Sequence, residues 1–159
     1  MAIVADDDGL CRQFTLAQAG GLMMNAVSVT QTLIDCNAAA TAVQAAVAEA
    51  ARLGVKINVA VVDPSGTLMA FLRMPGAPLH SIDIAIDKAY TAVSFGLPTH
   101  LWADAFKEHS PAVQDGLSGR PRFVAFGGGL PMVYQGERIG GIGVSGASEA
   151  QDQQCAQAG

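Results

Sequence analysis

Residues 55–95, VKINVAVVDPSGTLMAFLRMPGAPLHSIDIAIDKAYTAVSF, decide the fold. The run from Val55 to Asp63 is β-branched and partly alternating, which predicts a strand. Pro64-Ser65-Gly66 follows, with a preset φ at the proline and tolerance of positive φ at the glycine, so Thr67 to Arg73 returns as the second strand of a hairpin. After the loop MPGAPLH comes a helix over Ser81 to Phe95, with Ser81 as its N-cap and Gly96 and Pro98 closing it.

Working outward, the alanine-rich segment Thr32 to Leu53 places Leu33 seven residues before Ala40, and Val43, Val47 and Ala50 follow at steps of three or four. It is predicted as a helix with one apolar face, ended by Gly54. Downstream, Thr99 to His109 predicts a shorter helix, and Phe123 to Phe126, Met132 to Tyr134 and Arg138 to Val144 predict three strands. The last two of these strands join through Gln135-Gly136, and a final helix covers Ala147 to Ala158. Hairpins between neighbours imply an antiparallel sheet, hence an α+β fold with helices packed on the sheet rather than a doubly wound one. Residues 1–31 form a separate N-terminal arm with a short helix at Thr15 to Met24, and residues 32–159 form a single domain.

Composition bounds the function. Of 159 residues, 50% are hydrophobic and only 14% charged, well below the roughly 25% of average domains. Disorder is excluded, and the leftover apolar surface calls for a cover, most simply other copies of the chain. The formal charge of −5, with no basic cluster, argues against nucleic acid and anionic membranes. No apolar run approaches the ~18 residues of a membrane span. The start MAIVADDDGL lacks the positive region of an export signal, and Cys11, Cys36 and Cys155 share no metal-ligand spacing, so a cytoplasmic protein with reduced thiols is expected.

Four groups of residues carry candidate chemistry. Gly141, Gly143 and Gly146 spell GxGxxG between a strand and a helix, but only 13 residues follow, too few for the second strand and acidic residue of a dinucleotide site. The same turn, with Ser145, Gly146 and the amides of the last helix, suits a carboxylate or phosphate, or is simply a tight turn with ordinary capping. Ser145 is no hydrolase nucleophile, because Ala147 stands where GxSxG needs glycine. Gly127-Gly128-Gly129 reads either as close approach by a ligand or as a tight crossing.

His80, Asp83 and Asp87, at i, i+3 and i+7, project along one helical face, as a solvated surface or as an acid/base or metal-binding set. Lys88 lies on the core side of that helix, where burial would lower its pKa, or where it pairs with Asp87 or Asp63. Arg73 and His80 bracket the Pro/Gly-stiffened loop. His100 and His109, near Trp102 and Phe106, read as surface or packing residues.

The stretches INVAVVDPSGTLMAFLRMPGAPLHSIDIAIDKAYTAVSFGLPT and FGGGLPMVYQGERIGGIGVSGASEAQDQQCAQAG resemble the GlcG/HbpS family, which includes the C-terminal domain of PduO-type adenosyltransferases. The resemblance covers about residues 33 to 159. It implies a profilin-like fold, a five-stranded antiparallel sheet with helices on both faces, assembled as a homo-oligomer. It also implies haem as a possible cofactor, without fixing the axial ligand in the shared motif; the candidate near that motif in this chain is His80, where many relatives carry an aliphatic residue. The chain departs from the family pattern in its N-terminal arm and in Pro75, where relatives commonly carry aspartate.

Two functions follow as expectations. One is a homo-oligomeric protein binding haem or another small carboxylate-bearing ligand, anchored by Arg73 and His80 on one side and by Gly127, Gly128, Gly129, Ser145 and Gly146 on the other. The alternative is a cofactor-free isomerase, tautomerase or lyase of small carboxylates. There His80, Asp83 or Asp87 would be the base, with Arg73 or Lys88 holding the substrate. A purely structural oligomer would need only the apolar surface.

Overall fold

The predicted hairpin forms half of the main sheet: β3 (Asn58–Val62) pairs antiparallel with β4 (Leu68–Arg73), and Asn58 faces Arg73 across the ladder. A computed structural model describes residues 3–5, 11–13 and 27–159. It separates into two units, residues 1–30 and 31–159. In the first, β1 (Ile3–Ala5) and β2 (Cys11–Gln13) form an antiparallel pair. The helix expected at Thr15 to Met24 lies outside the described residues.

In the second unit, β5 (Gly129–Tyr134) and β6 (Glu137–Ser145) complete a four-stranded antiparallel sheet in the order β4-β3-β6-β5. Gln135 and Gly136 join them with φ of 51° and 83°, the positive pair that a two-residue hairpin turn of the primed type requires. The sheet therefore has four strands where five were expected. Residues 123–126 do not join it: Pro121 offers no amide hydrogen, Arg122 sits at φ 66°, and Val124 N–H donates to Thr91 Oγ1 (3.0 Å) instead of to a strand.

Helix α1 (Cys36–Leu53) begins four residues later than predicted, because the Asp35 carboxylate accepts from Asn37 N (2.8 Å) and takes the N-cap. The preceding Ile34 instead donates its N–H to Ile139 O at the sheet (2.9 Å). Gly54, at φ 72°, ends α1 as expected. Helix α2 (Ser81–Phe95) has the predicted bounds, but Ser81 is its first residue rather than its cap, and His80 stands at the cap without a side-chain bond.

The helix expected over Thr99 to His109 is broken into a 3₁₀ turn (Thr99–Leu101), α3 (Trp102–Ala105) and a second 3₁₀ turn (Phe106–Glu108). An unanticipated α4 (Pro111–Ser118) follows, with Pro111 in its first turn. Helix α5 (Glu149–Ala158) closes the chain behind a capping box made by Ser148 and Gln151.

Alternation along β3 sorts the core. Val59 and Val61 pack with Ile142, Val144 and the α1 residues Ala39, Val43, Ala46 and Ala50, with Cys155 and Ala156 of α5 in the same cluster. Val62 instead packs with Ala89 and Val93 of α2. Helices thus cover both faces of the sheet. The α2 face is built from small residues: a methyl group on Gly141 would lie 2.6 Å from Ala89 O, and one on Gly143 would lie 2.5 Å from Ala89 N. Glycine at alternate positions of β6 is what lets α2 lie this close, so these two glycines serve packing.

Candidate functional site

Close packing of α2 on the glycine face carries Lys88 into the interior, fully buried. Its Nζ donates to Asp152 Oδ2 of α5 (2.9 Å) and to Val144 O of β6 (2.8 Å), and lies 4.7 Å from the centre of the Phe126 ring. The partner is thus Asp152, not Asp87 or Asp63. Burial pushes the Lys88 ammonium below its ordinary value and the Asp152 carboxyl above its own, and each charge opposes the shift of the other. The pair and its bonds tie α2, β6 and α5 together at the end of the sheet.

The glycine loop beside this pair is already occupied from within. Gly127 N–H donates to Glu149 Oε1 (2.7 Å), Gly128 N–H to Gln153 Oε1 (3.0 Å) and Gly129 N–H to Thr99 Oγ1 (2.8 Å). At the start of α5, Ala147 N–H donates to Asp152 Oδ1 (3.0 Å), and the Gly146 backbone also bonds that carboxylate. At Gly146 and Ala147, where the sequence reading placed an external carboxylate or phosphate, the carboxylate present is that of Asp152, and Gly127 N–H is taken by Glu149. Gly128, at φ 114°, adds close approach: a methyl group there would lie 2.6 Å from Val144 O and 2.8 Å from Lys88 Nζ.

The remaining candidates gather around the start of α2 and the strand ends beside it. Ser145, Asn58 and Arg73 are register partners on three adjacent strands. Ser145 and Asn58 are buried and Arg73 is exposed. Asn58 Nδ2 donates to Pro78 O (3.1 Å), while its buried Oδ1 meets no partner. Arg73 Nη2 donates to Ala77 O (2.7 Å), holding the guanidinium over the loop that leads to α2, and a planar group with five N–H donors retains capacity for a carboxylate. His80 closes that loop, exposed, beside Leu79 at 73% exposure.

Asp83 is exposed, one turn into α2, and Asp87 is turned to Arg122, whose Nε donates to its Oδ1 (3.0 Å). His80, Asp83, Asp87 and Lys88 are therefore not one constellation, and among the described residues no three His, Cys, Asp or Glu side chains come together as a metal site. Sequence reasoning missed Asp152, Glu149 and Gln153. They sit in the polar run EAQDQQ, which carries no apolar stripe to show which side faces inward.

A family model described as haem degrading protein HbpS-like matches residues 34–159. An uncharacterized 15.0 kDa protein of the dhaT-dhaS intergenic region of Citrobacter freundii is 38% identical over 119 residues, covering 75% of this chain and 84% of that protein. The corrinoid adenosyltransferase PduO of Salmonella typhimurium is 39% identical over 116 residues, 72% of this chain but 34% of PduO. Among solved structures, a double mutant of Streptomyces reticuli HbpS has a TM-score of 0.75 at 35% identity, covering 90% of this chain and 95% of that one. A PduOC:heme complex has a TM-score of 0.72 at 35% identity, covering 80% and 92%. No described helix is long and apolar enough to cross a membrane.

Proposed function

The chain belongs to the HbpS-like family, and from that premise we propose that it binds haem at the loop between β4 and α2, with the His80 imidazole as axial ligand and Arg73 paired with a propionate. The observation that carries this reading is the state of His80. It is exposed, stands at the helix cap without a cap bond, and has no protein partner among the described contacts. An iron ligand requires a ring nitrogen that no other residue of the protein has taken.

The residues present fit such a group in three respects. Exposed Leu79 offers apolar contact, Arg73 a charge-assisted bond, and His80 a nitrogen donor. Bound haem would supply a redox-active iron centre, held by the His80 imidazole. The protein's part is to present the imidazole, hold the guanidinium through Ala77 O and keep the loop stiff with Pro75 and Pro78. The relative solved with heme supports the choice of ligand.

The same reading includes self-association in the cytoplasm. The loop face is open, and both edge strands expose apolar side chains: Leu68 and Leu72 on β4, Val133 and Tyr134 on β5. A sheet with α2 on one face and α1 and α5 on the other also supports the profilin-like arrangement that the resemblance implied.

Titration of the apo-protein with haemin tests the function. The wild type should give a saturable shift of the Soret band that Arg73→Gln weakens and His80→Ala abolishes. No shift in the wild type removes the haem reading, and an unchanged shift in His80→Ala removes the ligand assignment. Sedimentation at micromolar concentration should give an oligomer, and a monomer would contradict the assembly.

A further inference from the structure

The opposite end of α2, about 20 Å along the helix from His80 at 1.5 Å per residue, holds a cavity of about 310 Å³ that haem binding at the loop does not use. Tyr90, Ser94 and Phe95 of α2 form one wall, and Leu117 of α4 with Pro121 and Phe123 of the following loop form the other. Two guanidinium groups, Arg120 and Arg122, complete the lining.

These two arginines differ in what they already hold. Arg122 is committed: its Nε donates to Asp87, its guanidinium stacks 3.6 Å from the Tyr90 ring centre, and its carbonyl accepts from Thr91 Oγ1 (2.9 Å). Its backbone is held at φ 66°, a conformation that costs a branched or long side chain energy and persists only where the surroundings impose it. Arg120 is exposed, with no ion pair or side-chain hydrogen bond among the described residues. Among the described residues, Arg120 is thus the lining guanidinium that no carboxylate pairs, in a chain whose formal charge is −5.

Its floor is aromatic. Phe95 is 50% exposed, large for a ring that also packs edge-on against Trp102 (4.8 Å) and Phe123 (5.9 Å). A half-open aromatic wall beside a single unpaired guanidinium fits a flat apolar body with one carboxylate. The rings and Pro121 add contact area for an aromatic body and none for inorganic phosphate.

We propose that this cavity binds a small aromatic monocarboxylate, its ring against Phe95 and Phe123 and its carboxylate on Arg120. A cavity of this volume lies at the lower end of small-molecule sites, which limits the ligand to one or two rings.

The chain's only tryptophan, Trp102, lies 4.9 Å from Phe123 and reports on the site without a label. Phenylacetate added to the full chain should change Trp102 emission saturably. Arg120→Gln, a surface change whose folding is checked by its thermal unfolding, should raise Kd by about tenfold or more, the scale of a lost charge-assisted bond. The neutral phenylacetamide should bind the wild type as weakly as phenylacetate binds that variant, and inorganic phosphate should not compete.

A lack of any saturable change overturns the proposal. So does equal binding of phenylacetate by Arg120→Gln, equal binding of phenylacetamide, or competition by phosphate at matched concentration.

Discussion

Lys88 Nζ and Asp152 Oδ2 meet at 2.9 Å in the interior, joining the helix that carries His80 at its start to the helix that ends the chain. Both charges are removed from water, so the pair holds only because Val144 O, Ala147 N–H and the Phe126 ring complete the surroundings. Breaking one side leaves the other buried and uncompensated. Lys88→Met is expected to cost about 3–5 kcal/mol in urea unfolding, and adding Asp152→Leu should recover part of the loss. A single-variant loss below about 1 kcal/mol, the scale of an exposed pair, would contradict the assignment.

Gly143 of β6 faces Ala85 and Ala89 of α2, and a methyl group would meet backbone on both sides. Backbone cannot move aside as a flexible side chain does. Gly143→Ala should therefore destabilise by about 1–3 kcal/mol or more, whereas Gly136→Ala, with nothing within 4 Å, should cost only the strain of its φ of 83°. Unfolding curves of the two variants give the comparison, and equal losses would mean that packing against α2 is not what selects glycine at 143.

Cys155 is buried between α5 and α1, and burial pushes its thiol from 9.0 up to about 11. In the unfolded chain the thiol ionises near its ordinary value. Between 9.0 and about 11 the folded state thus binds more protons, and its stability falls as pH rises through that window. The difference in unfolding free energy between wild type and Cys155→Ala should shrink by roughly 2–3 kcal/mol across it, and should be flat below it. Mass mapping after brief alkylation of the folded chain should find Cys36, which is exposed, modified and Cys155 intact. Early modification of Cys155 would contradict its burial.

Local patterns made much of this architecture readable. The Pro64-Ser65-Gly66 turn, the positive-φ pair Gln135-Gly136 and the glycines after α1 and α2 act through neighbouring residues, and the elements they bound lie close to where the sequence placed them. The strand expected at 123–126 failed because Pro121 and Arg122 form a turn stabilised by Thr91 and Asp87, some thirty residues earlier in the chain. No pattern within the segment carries that information.

The glycines show a second limit. Gly141 and Gly143, read in the sequence as part of a GxGxxG turn, alternate along β6 opposite Ala85 and Ala89 and serve the packing of α2. Gly127 to Gly129 were legible as a place of close approach, but not as amides serving Glu149 and Gln153. Asp152 was hidden for the same reason, because a polar helix without an apolar stripe does not announce its buried face.

The role given to His80 is tested most directly by removing and resupplying its ring. His80→Gly with haemin should lose the histidine-type Soret band of the wild type, and free imidazole added to the variant should restore it, because the exposed cap position leaves room for the ring to return. A wild-type spectrum from His80→Gly without imidazole, or a lost band that imidazole leaves unchanged, would contradict the account.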